Sequence, residues 1–379
     1  MGKIIAFCLG QTQYNVVCGG GMKFVAAMRA LEGWEKDIVT TKHWLFTHEK
    51  DFKMRPILVE DGQTSVLVAY ITRTIRSLFV KIDVHGPAIV YSPDDFMPDV
   101  LRAFVIRITN RNVRWVQQIF HLYLPPWKRP GSLVSAVAGY LGQVATHILI
   151  KNRADLVICD NRLLVEDLVK AGFRREKILL SDCGLDLDGI ESSPADGKGY
   201  DCVYVGRINR LKGVMELQDC FRRAPLDSYS LRIIGGGEGL GQLRAAREKN
   251  AERRIRIEGS VVGARRFGYM KAAKVFVFMS HEEGWGIAIG EALACGLVCV
   301  VWDLPVYREV FPTPAVLKVK ENDYGAFAKA VQGLLEDGER RKRLAEEGRR
   351  FVKRYDWGRV LTKENHRLEG LMKEAEHDG

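Results

Sequence analysis

The stretch SHEEGWGIAIGEALACG, Ser280–Gly296, sets Glu283 and Glu291 eight positions apart among four glycines and a tryptophan. Upstream, Val275–Met279 reads as a buried strand, and downstream Leu297–Trp302 reads as another. Ile287–Ala294 between them reads as a short helix, so Glu283 precedes the helix and Glu291 rides on it. Carboxylates placed in a glycine-rich strand-to-helix turn are candidates for ligand contact. The plain alternative is a pair of solvated glutamates at helix ends.

A second constellation lies in GRINRLKG, Gly206–Gly213. Arg207 and Lys212 flank one short loop after the apolar run CVYV, at a strand's carboxyl end, where open α/β sheets bind ligands. A guanidinium fork and a lysine point charge suit a diphosphate; two solvated surface cations are the alternative. Glycines also follow or precede predicted elements at Gly19–Gly20–Gly21 and Gly235–Gly236–Gly237. They let a backbone pass close to a ligand, and the following helix N-termini offer unpaired amides to phosphate. A structural turn explains any one of them equally well. None reads G-x-G-x-x-G with an acid at dinucleotide spacing, which counts against a nicotinamide dehydrogenase. Asp186-Leu187-Asp188 spells a metal-binding DxD. It falls in a Gly/Asp-rich stretch where such residues favour turns, and it reads as hinge chemistry.

These residues need a frame. The chain has 379 residues, 47% apolar and 27% charged, and two domains are the expectation for that length. Apolar runs alternate with amphipathic stretches, as in parallel α/β folds. The expected strands of the first half are Ile4–Leu9, Ile57–Val59, Ser65–Tyr70, Ala88–Tyr91, Trp115–Leu122, Leu156–Cys159 and Ile178–Leu180. Those of the second are Cys202–Val205, Leu231–Ile234, Ile255–Glu258, Val275–Met279 and Val298–Val301. The eight cysteines show no zinc-site spacing, and free thiols fit a reducing compartment such as the cytoplasm. MGKIIAFCLG reads as a first strand rather than a signal peptide.

The formal net charge is +10. Val100–Ala154 contains no acid yet carries Arg102, Arg107, Arg111, Arg114, Lys128, Arg129, Lys151 and Arg153. A one-signed field of that kind suits an anionic partner. Within it, Leu133, Val137, Tyr140, Leu141, Val144 and Ile148 lie opposite a stripe of Ser135, Gly139, Gln143 and His147. That pattern is an amphipathic helix rather than a membrane span. Interleaved Trp115, Tyr123, Trp127 and Tyr140 add headgroup-seeking side chains, so a peripheral place on an anionic membrane is one expectation. The other is a helix packed on its sheet, with cations facing phosphate or solvent.

YVGRINRLKG, LRIIGGGEG, IEGSV, HEEGWGIAIGEALACG and the late YDW follow in an order that resembles the retaining glycosyltransferases of family 4, strongly over Cys202–Val310. The first half is weaker but consistent, through Gly19–Gly21, IFHLYLPP with His121, and ADLVICDN. The resemblance implies the GT-B fold: two doubly wound Rossmann-like α/β domains facing across a cleft. Residues 1–182 would be the acceptor-side domain, 183–200 a linker and 201–355 the nucleotide-sugar domain. Residues 356–379 would be a C-terminal helix packing back on the first domain.

The resemblance also distributes the roles. Glu291 would bond the ribose hydroxyls and Glu283 the donor sugar. Gly284 and Gly286 would admit the sugar, and amides near Ile287 would face the diphosphate. Arg207 and Lys212 would stabilise the leaving group, and His121 would face the donor. Gly206, Gly235, Gly236, Trp285, Gly20 and Gly21 complete the implied donor site, with Trp285 standing where phenylalanine is usual. No metal or cofactor is expected. The donor would be a UDP- or GDP-sugar and the acceptor a glycan or a lipid-linked sugar; no specific nucleic-acid partner is expected. A GT-B sugar-nucleotide epimerase and a catalytically silent binding subunit are the alternatives.

Overall fold

Apolar residues at alternate positions of one strand go to opposite faces of a sheet, and the first strand, β1 (Lys3–Cys8), does this cleanly. Ile4, Ala6 and Cys8 join one buried cluster, and Ile5 and Phe7 join the other. A computed structural model describes residues 2–10, 19–48, 53–59, 66–123, 125–128, 133–196, 199–250 and 253–378. The chain divides into two units, Met1–Cys183 with Trp357–Gly379, and Gly184–Asp356.

The first unit is built on β1, β2 (Glu35–Thr40), β3 (Arg55–Leu58), β4 (Ala88–Ser92), β5 (Val113–Gln118), β6 (Leu156–Cys159) and β7 (Ile178–Leu180). All pair in parallel, in the order β3-β2-β1-β4-β5-β6-β7. One face is covered by the helices Met97–Thr109 and Leu133–Arg153, through Val100, Ala103, Ile106 and Ile150. The other is covered by Gly19–Ala30 and Trp357–His377, through Phe24, Met28, Leu361, Leu368 and Leu371. Each such fully buried side chain contributes roughly 1.5–3 kcal/mol of transfer free energy.

Three expectations change here. Tyr70 and the residues just before it lie in a helix, Val66–Phe79, not a strand; Ser65 lies outside the described residues. The apolar residues of that helix recur at three- and four-residue spacing, a pattern that six residues are too few to reveal. The strand expected at Trp115–Leu122 ends at Gln118. Gln117 is accommodated because its amide donates to the carbonyls of Ser92 and Asp94. The helix over 133–153 is present, but Gln143 of its polar stripe is buried while Leu133, Leu141, Val144 and Ile148 are exposed.

The second unit carries β8 (Tyr200–Val205), β9 (Leu231–Ile234), β10 (Ile255–Gly259), β11 (Ala273–Phe278), β12 (Val298–Trp302) and β13 (Val316–Val319). They are parallel, in the order β10-β9-β8-β11-β12-β13. In both sheets the strand order reverses once, between β1 and β4 and between β8 and β11. Such switch points leave a crevice outside the strands' carboxyl ends. The Gly/Asp-rich stretch after Cys183 is partly regular: Asp186 accepts from Gly189 N at 3.0 Å and caps the short helix Leu187–Ser192.

Candidate functional site

The loops that leave β8 and β11 meet at the switch point of the second sheet. After β8 the chain passes Gly206 and Arg207 into a 3-10 turn, Arg210–Lys212, capped by Asn209, whose side chain accepts from Lys212 N at 3.1 Å. Gly213 then takes φ 60°, and a Cβ there would stand 2.0 Å from the Met279 carbonyl oxygen. Only glycine lets these two loops touch. Backbone bonding continues the contact: His281 N donates to Leu211 O at 2.8 Å.

This closeness brings Lys212 to Glu283. Lys212 Nζ lies 2.6 Å from Glu283 Oε1 and donates to the Glu282 carbonyl at 3.0 Å. Both side chains are mostly shielded from solvent, at 12% and 13% exposure, which makes the pair worth more than a surface bridge. Arg207 is exposed at the same strand end, and its carbonyl accepts from Tyr204 Oη at 2.8 Å.

The glycines after β9 lie beneath that loop. Ile208 N donates to Gly236 O at 2.8 Å, and Gly239 N donates to Ile208 O at 2.9 Å. A Cβ on Gly235 would fall 1.8 Å from Gly206 O, and one on Gly237 2.6 Å from Ile208 O. Gly206, Gly235 and Gly236 thus form one backbone platform.

After β11, Gly284 and Trp285 lead to Gly286, which takes φ 97° and starts the helix Ile287–Ala294. Trp285 is buried, with its ring 5.0 Å from Phe311 and 4.8 Å from Tyr355, both edge-on. Its side chain therefore belongs to an aromatic cluster and holds the loop rather than offering a face to a ligand. Gly286 lies at the helix N-terminus, where free amides and partial positive charge favour an anion.

Glu291 is buried on the same helix, and Arg266 of the helix Gly263–Lys271 holds its Oε1 at 2.5 Å. Burial pushes the Glu291 carboxyl up, and Arg266 opposes that shift. Arg266 escaped the sequence reading, although it lies just past IEGSV in GARRFGYMK. His281 escaped it too. Its Nε2 faces Glu216 at 3.0 Å and its Nδ1 faces Glu321 at 2.5 Å; Glu216 also accepts from Tyr324 Oη at 3.2 Å. Hydrogen bonding to Glu216, then to Glu321, against burial, raises the His281 imidazole to about 9. His281 stands in SHEE, directly before Glu282 and Glu283, but its partners lie far along the chain.

In the first unit, Gly20 and Gly21 stand at the start of the helix Gly19–Ala30. A Cβ on Gly20 would strike Phe120 at 2.5 Å, so that helix start abuts the loop after β5. His121 sits on that loop, its ring 5.1 Å from Tyr123. Gln143 fixes the loop from behind, donating to His121 O at 3.0 Å and to Asp95 Oδ2 at 2.9 Å, and accepting from Tyr123 N at 2.7 Å. His147 Nε2 adds a contact to Asp95 Oδ2 at 2.8 Å. The inward polar stripe of the 133–153 helix is thus the support of the His121 loop. Among the described residues no group of three or more His, Cys, Asp or Glu is arranged to hold a metal ion.

Residues 189–351 match the family model described as glycosyl transferases group 1. The phosphatidyl-myo-inositol mannosyltransferase of Mycobacterium leprae is 31% identical over 196 residues, 47% of this chain and 50% of that protein. The GDP-mannose:cellobiosyl-diphosphopolyprenol alpha-mannosyltransferase of Xanthomonas campestris is 28% identical over 192 residues, 47% and 49% of the two chains. The chain spans about half the length of these relatives. Among solved structures, sucrose-phosphate synthase from Thermosynechococcus elongatus superposes with a TM-score of 0.80 at 19% identity, over 98% of this chain and 100% of that one. The two parallel sheets are those of the GT-B fold, and the similarity to the glycosyl transferases of group 1 lies over residues 189–351.

Proposed function

We propose that the protein is a retaining hexosyltransferase. It moves a hexose or N-acetylhexosamine from a UDP- or GDP-sugar to a hydroxyl of a glycan or lipid-linked acceptor. The observation that carries the reading is the Lys212–Glu283 pair, which joins the β8 and β11 loops beside a helix N-terminus. The GDP-mannose in the name of the Xanthomonas relative supports a GDP-linked donor, and the names of both relatives support a lipid-linked acceptor, as the first to test.

In the reaction the acceptor oxygen bonds to the anomeric carbon. The bond from that carbon to the diphosphate oxygen breaks, its electron pair going to the diphosphate. The acceptor's proton passes to a phosphate oxygen. Negative charge grows on the leaving group, so Arg207, Lys212 and the amides near Ile287 act more strongly on the transition state than on the bound donor. Glu283, positioned by Lys212, bonds the sugar hydroxyls. Glu291, with one oxygen taken by Arg266, keeps the other for the ribose.

Titration calorimetry with GDP and UDP tests this division of labour, alongside transfer assays with the matching sugar nucleotides. Glu291→Ala weakens nucleotide binding by about tenfold or more, the scale of one charge-assisted hydrogen bond. Glu283→Gln leaves nucleotide affinity near wild type and impairs transfer. Equal losses of nucleotide affinity in both variants overturn the assignment. A donor isomerised without any acceptor would replace transfer with epimerisation.

A further inference from the structure

We propose that the outer face of three helices in the first unit, Val66–Phe79, Met97–Thr109 and Leu133–Arg153, docks on an anionic lipid bilayer. The observation is an inversion. On the 133–153 helix the polar residues Gln143 and His147 point inward to Asp95, while Leu141, Val144 and Ile148 point out. Their spacing of three and four residues places them on one stripe. On the 66–79 helix, Ile71, Ile75 and Phe79 form a second outward stripe at four-residue spacing, and Phe79 is 79% exposed. The 97–109 helix packs against both of the others. The two apolar stripes thus lie on helices that both pack against the 97–109 helix, whose Ile108 is also exposed, and soluble surfaces seldom leave that much apolar area uncovered.

The charge pattern identifies the occupant. The three helices contain one acid, Asp99, and it is fully buried, where it accepts from Leu9 N at 2.6 Å. Exposed Arg76 and Arg111, with Lys151 and Arg153 at a helix end, flank the stripes. A second copy of this chain would bring like charges together across the patch. An anionic bilayer takes up both features, since acyl chains receive the apolar stripes and phosphate headgroups the cations. Trp127, 79% exposed on the turn Pro126–Lys128 before the 133–153 helix, suits the headgroup zone. No helix among the described residues is long and apolar enough to cross a membrane, so the contact is peripheral.

The proposal is independent of the reading of the second unit, and vesicle flotation of the full chain tests it. Phosphatidylcholine vesicles are compared with vesicles that also contain phosphatidylglycerol, at low and high salt. Binding to the anionic vesicles is expected, falling as salt rises. Ile75→Asp with Leu141→Asp, both at exposed positions, lowers the bound fraction by about tenfold or more, as placing charges in an apolar contact should. Melting temperature and nucleotide affinity of that variant stay at wild-type values, which separates loss of docking from loss of fold or of the donor site. Lys151→Glu with Arg153→Glu weakens binding to anionic vesicles only. Absence of binding to anionic vesicles at low salt overturns the proposal, and so does binding that both double variants leave unchanged. A vesicle-free dimer that Leu141→Asp dissociates would make a second copy the occupant and also overturn it.

Discussion

Glu283, Glu291, Arg207 and Lys212 could be named as candidates because local spacing alone ties them to the glycine-rich turns. Each lies in a loop or on the helix that follows a strand of the second sheet, and loops at a switch point converge in any doubly wound sheet. Arg266 and His281 could not be, because their partners lie far along the chain: Arg266 meets Glu291, and His281 meets Glu216 and Glu321. One sequence carries no signal for such pairs. For Trp285, its place in the motif said nothing of where its ring points, which is into the aromatic cluster of Phe311 and Tyr355. His281 also makes the site's loop pH-sensitive. Its imidazole, ordinarily near 6.5, is raised to about 9 in the folded chain. A raised value stabilises the fold fully below about 6.5, and the contribution is lost as pH rises through 9. The melting temperature of wild type should therefore exceed that of His281→Gln most at pH 6, and the gap should close by pH 10. A gap that is constant with pH would show that the imidazole does not bridge the two carboxylates as a cation.

Buried parallel strands announce themselves as short apolar runs, and β1, β4, β6, β9, β11 and β12 were read that way. β2 was missed because EKDIVT opens with three charged residues; Lys36 and Asp37 are buried nonetheless. Lys36 Nζ donates to Leu31 O, and Asp37 accepts from Arg55. β13 was missed because VLKV is short and only partly buried. The helix over 133–153 was legible in period but not in facing, since which stripe turns inward depends on Asp95 and on the His121 loop. Element contacts also explain the glycines after β9. Gly235→Ala forces a Cβ onto Gly206 O and must push the two loops apart. Urea denaturation should show a loss of roughly 1–3 kcal/mol, typical of overpacking, and calorimetry should show weakened nucleotide binding. Gly241→Ala is the control, because nothing lies within 4 Å of its Cβ and it sits inside the helix Leu240–Lys249. It should be neutral or stabilising by up to about 1 kcal/mol. Equal effects of the two substitutions would remove the close-approach argument.

For the molecule as a whole, the first unit is discontinuous in sequence: Met1–Cys183 is completed by Trp357–Gly379. Its last helix supplies a buried acid, Glu364, which lies 3.7 Å from Lys23 Nζ and accepts from Tyr91 Oη at 3.1 Å and Ser181 Oγ at 2.9 Å. Lys23 also donates to the Ser181 carbonyl. Removing one partner of a buried pair strands the other charge, so Glu364→Ala should cost about 3–5 kcal/mol in urea denaturation. A cost under about 1 kcal/mol would mean that Lys23 finds compensation elsewhere. The same arrangement sets an order of events on the ribosome. Gly184–Asp356 is contiguous and has been translated while one face of the first sheet still lacks Leu361, Leu368 and Leu371. Until Leu361, Leu368, Leu371 and Glu364 are synthesised, Ile4, Tyr91 and Ile158 keep an unfinished apolar surface and Lys23 lacks the Glu364 carboxylate. The part of the chain that is translated first is therefore the part whose sheet is covered last.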